Sequence, residues 1–191
     1  MPTTSASGSI SARVARAVTE AFAPAILVAV LLVAVGGWWG LVAALFCSVI
    51  PFGYIVVGVL RGRLTDHHID LREQRRIPLA FGVASVLTGL ALLVAFRAPR
   101  DLVALVAAGA VGLGVCATVN HWWKMSIHTA VAAGTVFILF LVYGPVWAFS
   151  LPVLAAIGWS RVRLGAHSAA QVLVGGAVGA AIAGSVFPVL R

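Results

Sequence analysis

The groups in this chain that can do chemistry lie in three short polar segments, Arg61 to Ile77, His121 to His128 and Ser160 to His167, separated by apolar runs. All five histidines (His67, His68, His121, His128 and His167) fall in them, with most of the arginines, in a sequence that is 62% apolar and 9% charged. Solvation alone does not gather imidazoles and guanidiniums in this way. Guanidiniums bind anions through paired N–H donors, and imidazoles move protons near neutral pH. The pattern therefore reads as an anion site with two or more proton-transferring groups. The third segment has the most specific spacing: Ser160-Arg161, five residues, His167, then three residues and Gln171. Where that segment continues into a helix, Gln171 lies one turn after His167 on the same face.

The second segment contains Met125-Ser126-Ile127-His128, and the first ends in Arg75-Arg76-Ile77-Pro78. With these segments in this order, the chain resembles the type-2 phosphatidic acid phosphatase superfamily, which includes lipid phosphate phosphatases and vanadium haloperoxidases. The motifs of that family read Lys, six residues, Arg-Pro; then Pro-Ser-Gly-His; then Ser-Arg, five residues, His, three residues, Asp. Here Ser160, Arg161 and His167 keep the third spacing, with Gln171 at the position of the Asp. Ser126 and His128 match the second motif, and Arg75 matches the arginine of the first, with His68 at the lysine position. The resemblance covers about residues 60–175. It implies that His167 is a nucleophile forming a phosphohistidine and that His128 protonates the leaving oxygen. It also implies that Gln171 accepts a hydrogen bond from the His167 ring N–H and fixes its tautomer. His68, Arg72, Arg75, Ser126, Ser160 and Arg161 are then the phosphate-binding residues.

The same residues meet the demands of phosphomonoester cleavage: charge neutralisation on the equatorial oxygens, an in-line nucleophile and an acid for the leaving alkoxide. Arg75, Arg161 and Arg72 supply bidentate donors. Ser126 adds a hydroxyl, and a helix starting near His128 aims backbone N–H groups at the same place. Other readings stand beside these. Arg75 and Arg76 can anchor their loop to anionic lipid, Arg163 and Lys124 can anchor to headgroups, and His121 reads as interfacial. Asp66-His67-His68-x-Asp70 reads as a solvated loop, a support to the site, or a metal cluster. Adjacent loop residues seldom all reach one ion, so no metal or other cofactor is expected.

The elements that must position these groups are membrane helices. Mean hydropathy is +1.09, and apolar spans run over about 22–37, 41–60, 78–96, 102–119, 128–144, 147–159 and 168–188. The expected fold is an all-α polytopic membrane bundle of six to seven transmembrane helices. Residues 1–20 form a polar N-terminal segment with an interfacial helix over Ser9 to Phe22, and 21–191 a single transmembrane domain. Gly36, Gly37 and Gly40 with Trp38 and Trp39 mark the first turn, Arg97 to Asp101 a polar turn, and Gly144-Pro145 a helix break. Seven crossings put ten of the 13 lysines and arginines on the side of the polar segments and leave Arg97, Arg100 and Arg191 opposite. The positive-inside rule makes that first side cytoplasmic, in a multi-pass plasma-membrane protein, with Trp122, Trp123 and Trp159 at its interface. In the last span Gly175 and Gly179, continued by Gly176, Ala180 and Gly184, form a small-residue stripe that suits close helix approach, within the fold or in a homo-oligomer.

Net charge +8 comes from loop residues flanking apolar runs, with no contiguous basic face, so lipid headgroups rather than nucleic acid are the expected partners. Cys47 and Cys116 lie inside apolar runs as free thiols. Few polar groups sit mid-span (Ser48, Tyr54, Ser85, Thr88), which argues against a transporter or channel. The sequence points to a metal-independent membrane hydrolase of phosphoric monoesters or prenyl diphosphates. Its substrate is a lipid or prenyl phosphate, and the second reading is a catalytically impaired lipid-phosphate binding protein.

Overall fold

The computed structural model describes residues 9–64 and 76–191, and every regular element among them is helical. In chain order these are α1 (Ile10–Ala21), α2 (Pro24–Ala44), a π-helical turn (Leu45–Val49), α3 (Ile50–Leu60), α4 (Arg76–Ala95), α5 (Arg100–Trp122), α6 (Ile127–Tyr143), a 3-10 turn (Pro145–Ser150), α7 (Leu151–Arg163) and α8 (Ala169–Leu190). Four stretches are long and apolar enough to cross a bilayer: Pro24–Leu60, Ile77–Ala95, Arg100–Trp122 and Ala169–Leu190. Large apolar side chains such as Leu87, Val94, Leu173 and Val189 stand exposed along them. That is the surface of a helical membrane protein, whose outward faces meet lipid.

Three of the expected spans take other forms. Those at 22–37 and 41–60 become the one run Pro24–Leu60, interrupted at Gly37, whose φ of 53° and ψ of −125° break the helix. The chain folds back there, because a Cβ on Gly40 would meet the Leu32 carbonyl and lie 2.6 Å from Val33 Cα. Only glycines permit so tight a return. The span at 147–159 becomes the 3-10 turn followed by the 13 residues of α7. At about 1.5 Å per residue, α7 reaches only about 20 Å, short of the hydrocarbon thickness. Helix α6, with 17 residues, is also shorter than a full crossing.

The described chain divides into two compact units, residues 9–27 with Gly114–Val186, and Val28–Leu113 with Phe187–Arg191. In the second unit, the π-helical turn has a local cause. Ile50 N–H donates to Leu45 O, a register in which residue 51 would serve Phe46 O. Pro51 has no N–H to give, and the Ser85 hydroxyl donates to Phe46 O instead, at 2.6 Å. Arg191 Nε donates to Asp101 Oδ1 at 3.0 Å, which ties the C-terminus to the first turn of α5.

The first unit contains α1, α6, α7 and most of α8. Helix α1 packs on α7 through its buried stripe of Ala12, Ala15 and Thr19. The stripe on α8 is filled by α6. A Cβ on Gly179 would run into the Ala130 carbonyl, one on Gly175 into Ser126 O, and one on Gly184 would lie 3.0 Å from the Phe137 ring. Backbone contact this close leaves no room for a second copy on that face.

Candidate functional site

Three chain segments meet at one end of the first unit: the start of α6, the end of α7 and the start of α8. Ser126 N–H donates to Gln171 O at 3.2 Å. The Thr129 hydroxyl lies 3.0 Å from Val172 O and 3.2 Å from Ser126 O. Gly158 of α7 sits where an added Cβ would be 2.9 Å from Val172 Cγ1. Six of the residues singled out from the sequence, Ser126, His128, Ser160, Arg161, His167 and Gln171, are thus brought to this end. His68, Arg72 and Arg75, with Asp66, His67 and Asp70, lie outside the described residues.

Ser126 is the N-cap of α6. It is fully buried, and its Oγ accepts from Thr129 N–H at 3.4 Å. His128 follows in the first turn and is buried, with its Nε2 shielded from solvent. The preceding loop is shaped by Asn120, whose amide donates to Cys116 O at 2.9 Å and whose Oδ1 accepts from Met125 N–H at 3.0 Å. Asn120 carries no sequence signal of this role, since its partners are set by how α5 ends.

Ser160 sits apart from any solvent-facing position. It is fully buried and its Oγ donates to Ile157 O at 2.7 Å. It pairs with Thr19 Oγ1 at 3.0 Å. Since the single Ser160 proton goes to Ile157 O, Thr19 is the donor in that pair. The structure therefore gives the Ser160 hydroxyl to the α1–α7 contact, where the sequence suggested a phosphate donor. Arg163 is likewise drawn to α1, with its guanidinium donating to Ser9 Oγ (3.2 Å) and Ser11 Oγ (2.9 Å). Arg161, next to Ser160, is 9% exposed, and its Nε is shielded from solvent.

The turn from Arg161 to His167 is a helix C-cap of the Schellman type. Ala166 N–H donates to Arg161 O at 3.0 Å and Gly165 N–H to Val162 O at 3.0 Å, with Gly165 at φ 67°. The Arg161 carbonyl also accepts from His167 N–H at 3.2 Å. One carbonyl thus fixes the backbone position of His167 relative to Arg161.

Gln171 has two tasks. With Ser168 it forms a capping box at the start of α8: Ser168 N–H donates to Gln171 Oε1 at 3.1 Å, and Gln171 N–H to Ser168 Oγ at 3.3 Å. The same Oε1 lies 3.3 Å from His167 Nδ1. The backbone donor decides which amide atom faces the imidazole, because a flipped amide would set NH2 against Ser168 N–H. An oxygen facing Nδ1 requires the proton on Nδ1, which leaves the lone pair on His167 Nε2. The Ser-x-x-Gln pattern at 168–171 was legible as a capping box and signals Ser168 as part of this arrangement.

Trp122 and Trp159 are exposed, and His121 packs edge-on to Trp122 with ring centroids 5.1 Å apart. Among the described residues no three His, Cys, Asp or Glu side chains gather as a metal site. The arrangement can present a guanidinium, the amides of two helix starts and one oriented imidazole toward an anion. Family models, curated proteins and solved structures were compared with the chain, and none matches it.

Proposed function

We propose that this protein is an integral membrane phosphatase that hydrolyses a lipid or prenyl phosphate through a phosphohistidine, without a metal ion. The observation that carries the reading is His167: its Nδ1 faces Gln171 Oε1 at 3.3 Å, and its backbone is bonded to Arg161, the buried arginine six residues earlier. In the proposed reaction His167 Nε2 attacks phosphorus and the bond to the leaving oxygen breaks. That oxygen takes a proton from His128. Arg161 neutralises charge on the equatorial oxygens. Water, deprotonated by His128, then attacks the phosphohistidine and breaks the P–N bond, releasing phosphate and restoring both histidines. The reading includes six to seven crossings, with the two arms of Pro24–Leu60 counted apart and α6 and α7 as short ones, and a cytoplasmic site in the plasma membrane.

The test is phosphate release by purified protein in chelator, on a panel of phosphatidic acid, phosphatidylglycerophosphate and prenyl phosphates. An impermeant short-chain substrate is then given to right-side-out and inverted vesicles. Release in chelator, and in inverted vesicles only, supports the metal-free phosphatase activity and the cytoplasmic site. Release from right-side-out vesicles reverses the orientation, and release only after a metal is restored removes the metal-free mechanism. Binding of a lipid phosphate with no release on any substrate selects the impaired binding protein instead.

Gln171 gives a sharper check. Gln171→Ala is expected to lower turnover about 10- to 100-fold, as loss of an orienting partner does. Gln171→Glu keeps the length needed for the capping box and adds a carboxylate that favours imidazolium. His167 then stays protonated to higher pH, so the acid limb of the pH–rate profile moves upward, by on the order of one unit. An unmoved profile with full activity in Gln171→Ala removes Gln171 from the site.

A further inference from the structure

We infer that α1 is a positioning element of the site and that Thr19 is the residue through which it acts. The inference rests on the phosphatase reading only for its kinetic readout. Thr19 is 2% exposed and donates to Ser160 Oγ at 3.0 Å, across 141 residues of sequence. Ser160 passes the contact to Ile157 O at 2.7 Å, within the turn of α7 that carries Arg161. The Arg161 carbonyl then accepts from His167 N–H at 3.2 Å. Two hydrogen bonds, Thr19 to Ser160 and His167 N–H to the Arg161 carbonyl, with the peptide unit that joins Ser160 to Arg161, therefore connect the N-terminal helix to both Arg161 and His167. The bond to Ile157 O fixes the Ser160 hydroxyl. The second tie, Arg163 to Ser9 and Ser11, holds the other end of α1 to the same end of α7.

A hydroxyl pair buried between two helices fixes their register, and without the Thr19 hydroxyl Ser160 keeps its bond to Ile157 O while the register is left to apolar packing alone. Loss of the Thr19 hydroxyl lets the end of α7 settle differently against α1. Displacements of about 1 Å in a phosphoryl-transfer site reduce rate by up to about 100-fold. Thr19 touches no reacting atom in this scheme; it acts through Ser160.

The experiment compares Thr19→Val, which keeps shape and removes the hydroxyl, with Thr19→Ser, which restores it, and with Ser160→Ala and the double variant. The expected result is a kcat about tenfold lower in Thr19→Val with thermal stability in detergent little changed, recovery in Thr19→Ser, and a double variant no worse than the worse single one. Orthophosphate affinity of the same proteins, measured by calorimetry, reads Arg161 placement without turnover. Weaker phosphate binding in Thr19→Val, restored in Thr19→Ser, upholds the positioning role even where wild type releases no phosphate, and in that case only the phosphatase reading fails. Equal kcat and equal phosphate affinity in wild type and Thr19→Val overturn the positioning role. Additive losses in the double variant also overturn it, as does a wild type that neither turns over nor binds phosphate. Should Thr19→Val not fold, a Thr19→Ser protein indistinguishable from Thr19→Ala in both assays overturns it equally.

Discussion

Replacing His167 with alanine is expected to lower phosphate release by about six orders of magnitude, the scale seen when a covalent nucleophile is removed. The fold should survive. His167 is half-buried in a turn, and its side-chain bond to Gln171 at 3.3 Å is not the main support of that turn. The Arg161 carbonyl, which accepts from Ala166 and His167 N–H, is retained by any residue other than proline at 167. A phosphohistidine trapped by acid-free quench from wild type, and absent from His167→Ala, gives the direct readout. Near-normal release from the alanine variant assigns the nucleophile elsewhere. His128→Ala should instead hurt substrates with poor leaving groups most, since a good leaving group needs no proton.

The second large effect is on folding. Gly179→Ala puts a Cβ into the Ala130 carbonyl, and the obstruction is backbone, so no rotamer change relieves it. Helices α6 and α8 must separate, which also draws apart Gly175 from Ser126 and Gln171 O from Ser126 N–H. The expected cost is about 3 kcal/mol or more, at the upper end of overpacking effects. It should be read as a lower thermal midpoint in detergent and as loss of activity. Gly109→Ala is the control: nothing lies within 4 Å of its Cβ, and alanine is favoured over glycine in a helix by up to about 1 kcal/mol. Equal midpoints for the two variants would show that α6 and α8 are not in backbone contact.

How much of this was legible depends on how local each cause is. The break at Gly144-Pro145 and the return at Gly36 to Gly40 are set by backbone freedom and a missing donor, and both were visible in the residues themselves. So was the placement of Gln171 one turn beyond His167. The fate of Ser160 was not. Its spacing to His167 suggested a ligand, but its hydroxyl is taken by Thr19, a partner 141 residues away that no periodicity announces. Ser126 is an intermediate case, because a serine immediately before an apolar run is a helix cap before it is anything else. The span at 147–159 is a shorter helix than its hydropathy suggests, because hydropathy counts apolar residues and not helix. A 3-10 turn takes the first part and leaves too short a helix behind it.

The capping box that holds His167 contains no charge. Ser168 and Gln171 are both neutral, and the bond to Nδ1 is a dipole contact. A carboxylate in the same place would have to be stripped of water beside a lipid phase, at a cost that grows as the local dielectric falls. Its grip on the ring would also weaken as salt screened it. A neutral amide escapes both effects. The orientation of the imidazole should therefore be the same at low and high ionic strength, and any salt dependence of the protein should come from the arginines proposed to meet the anion.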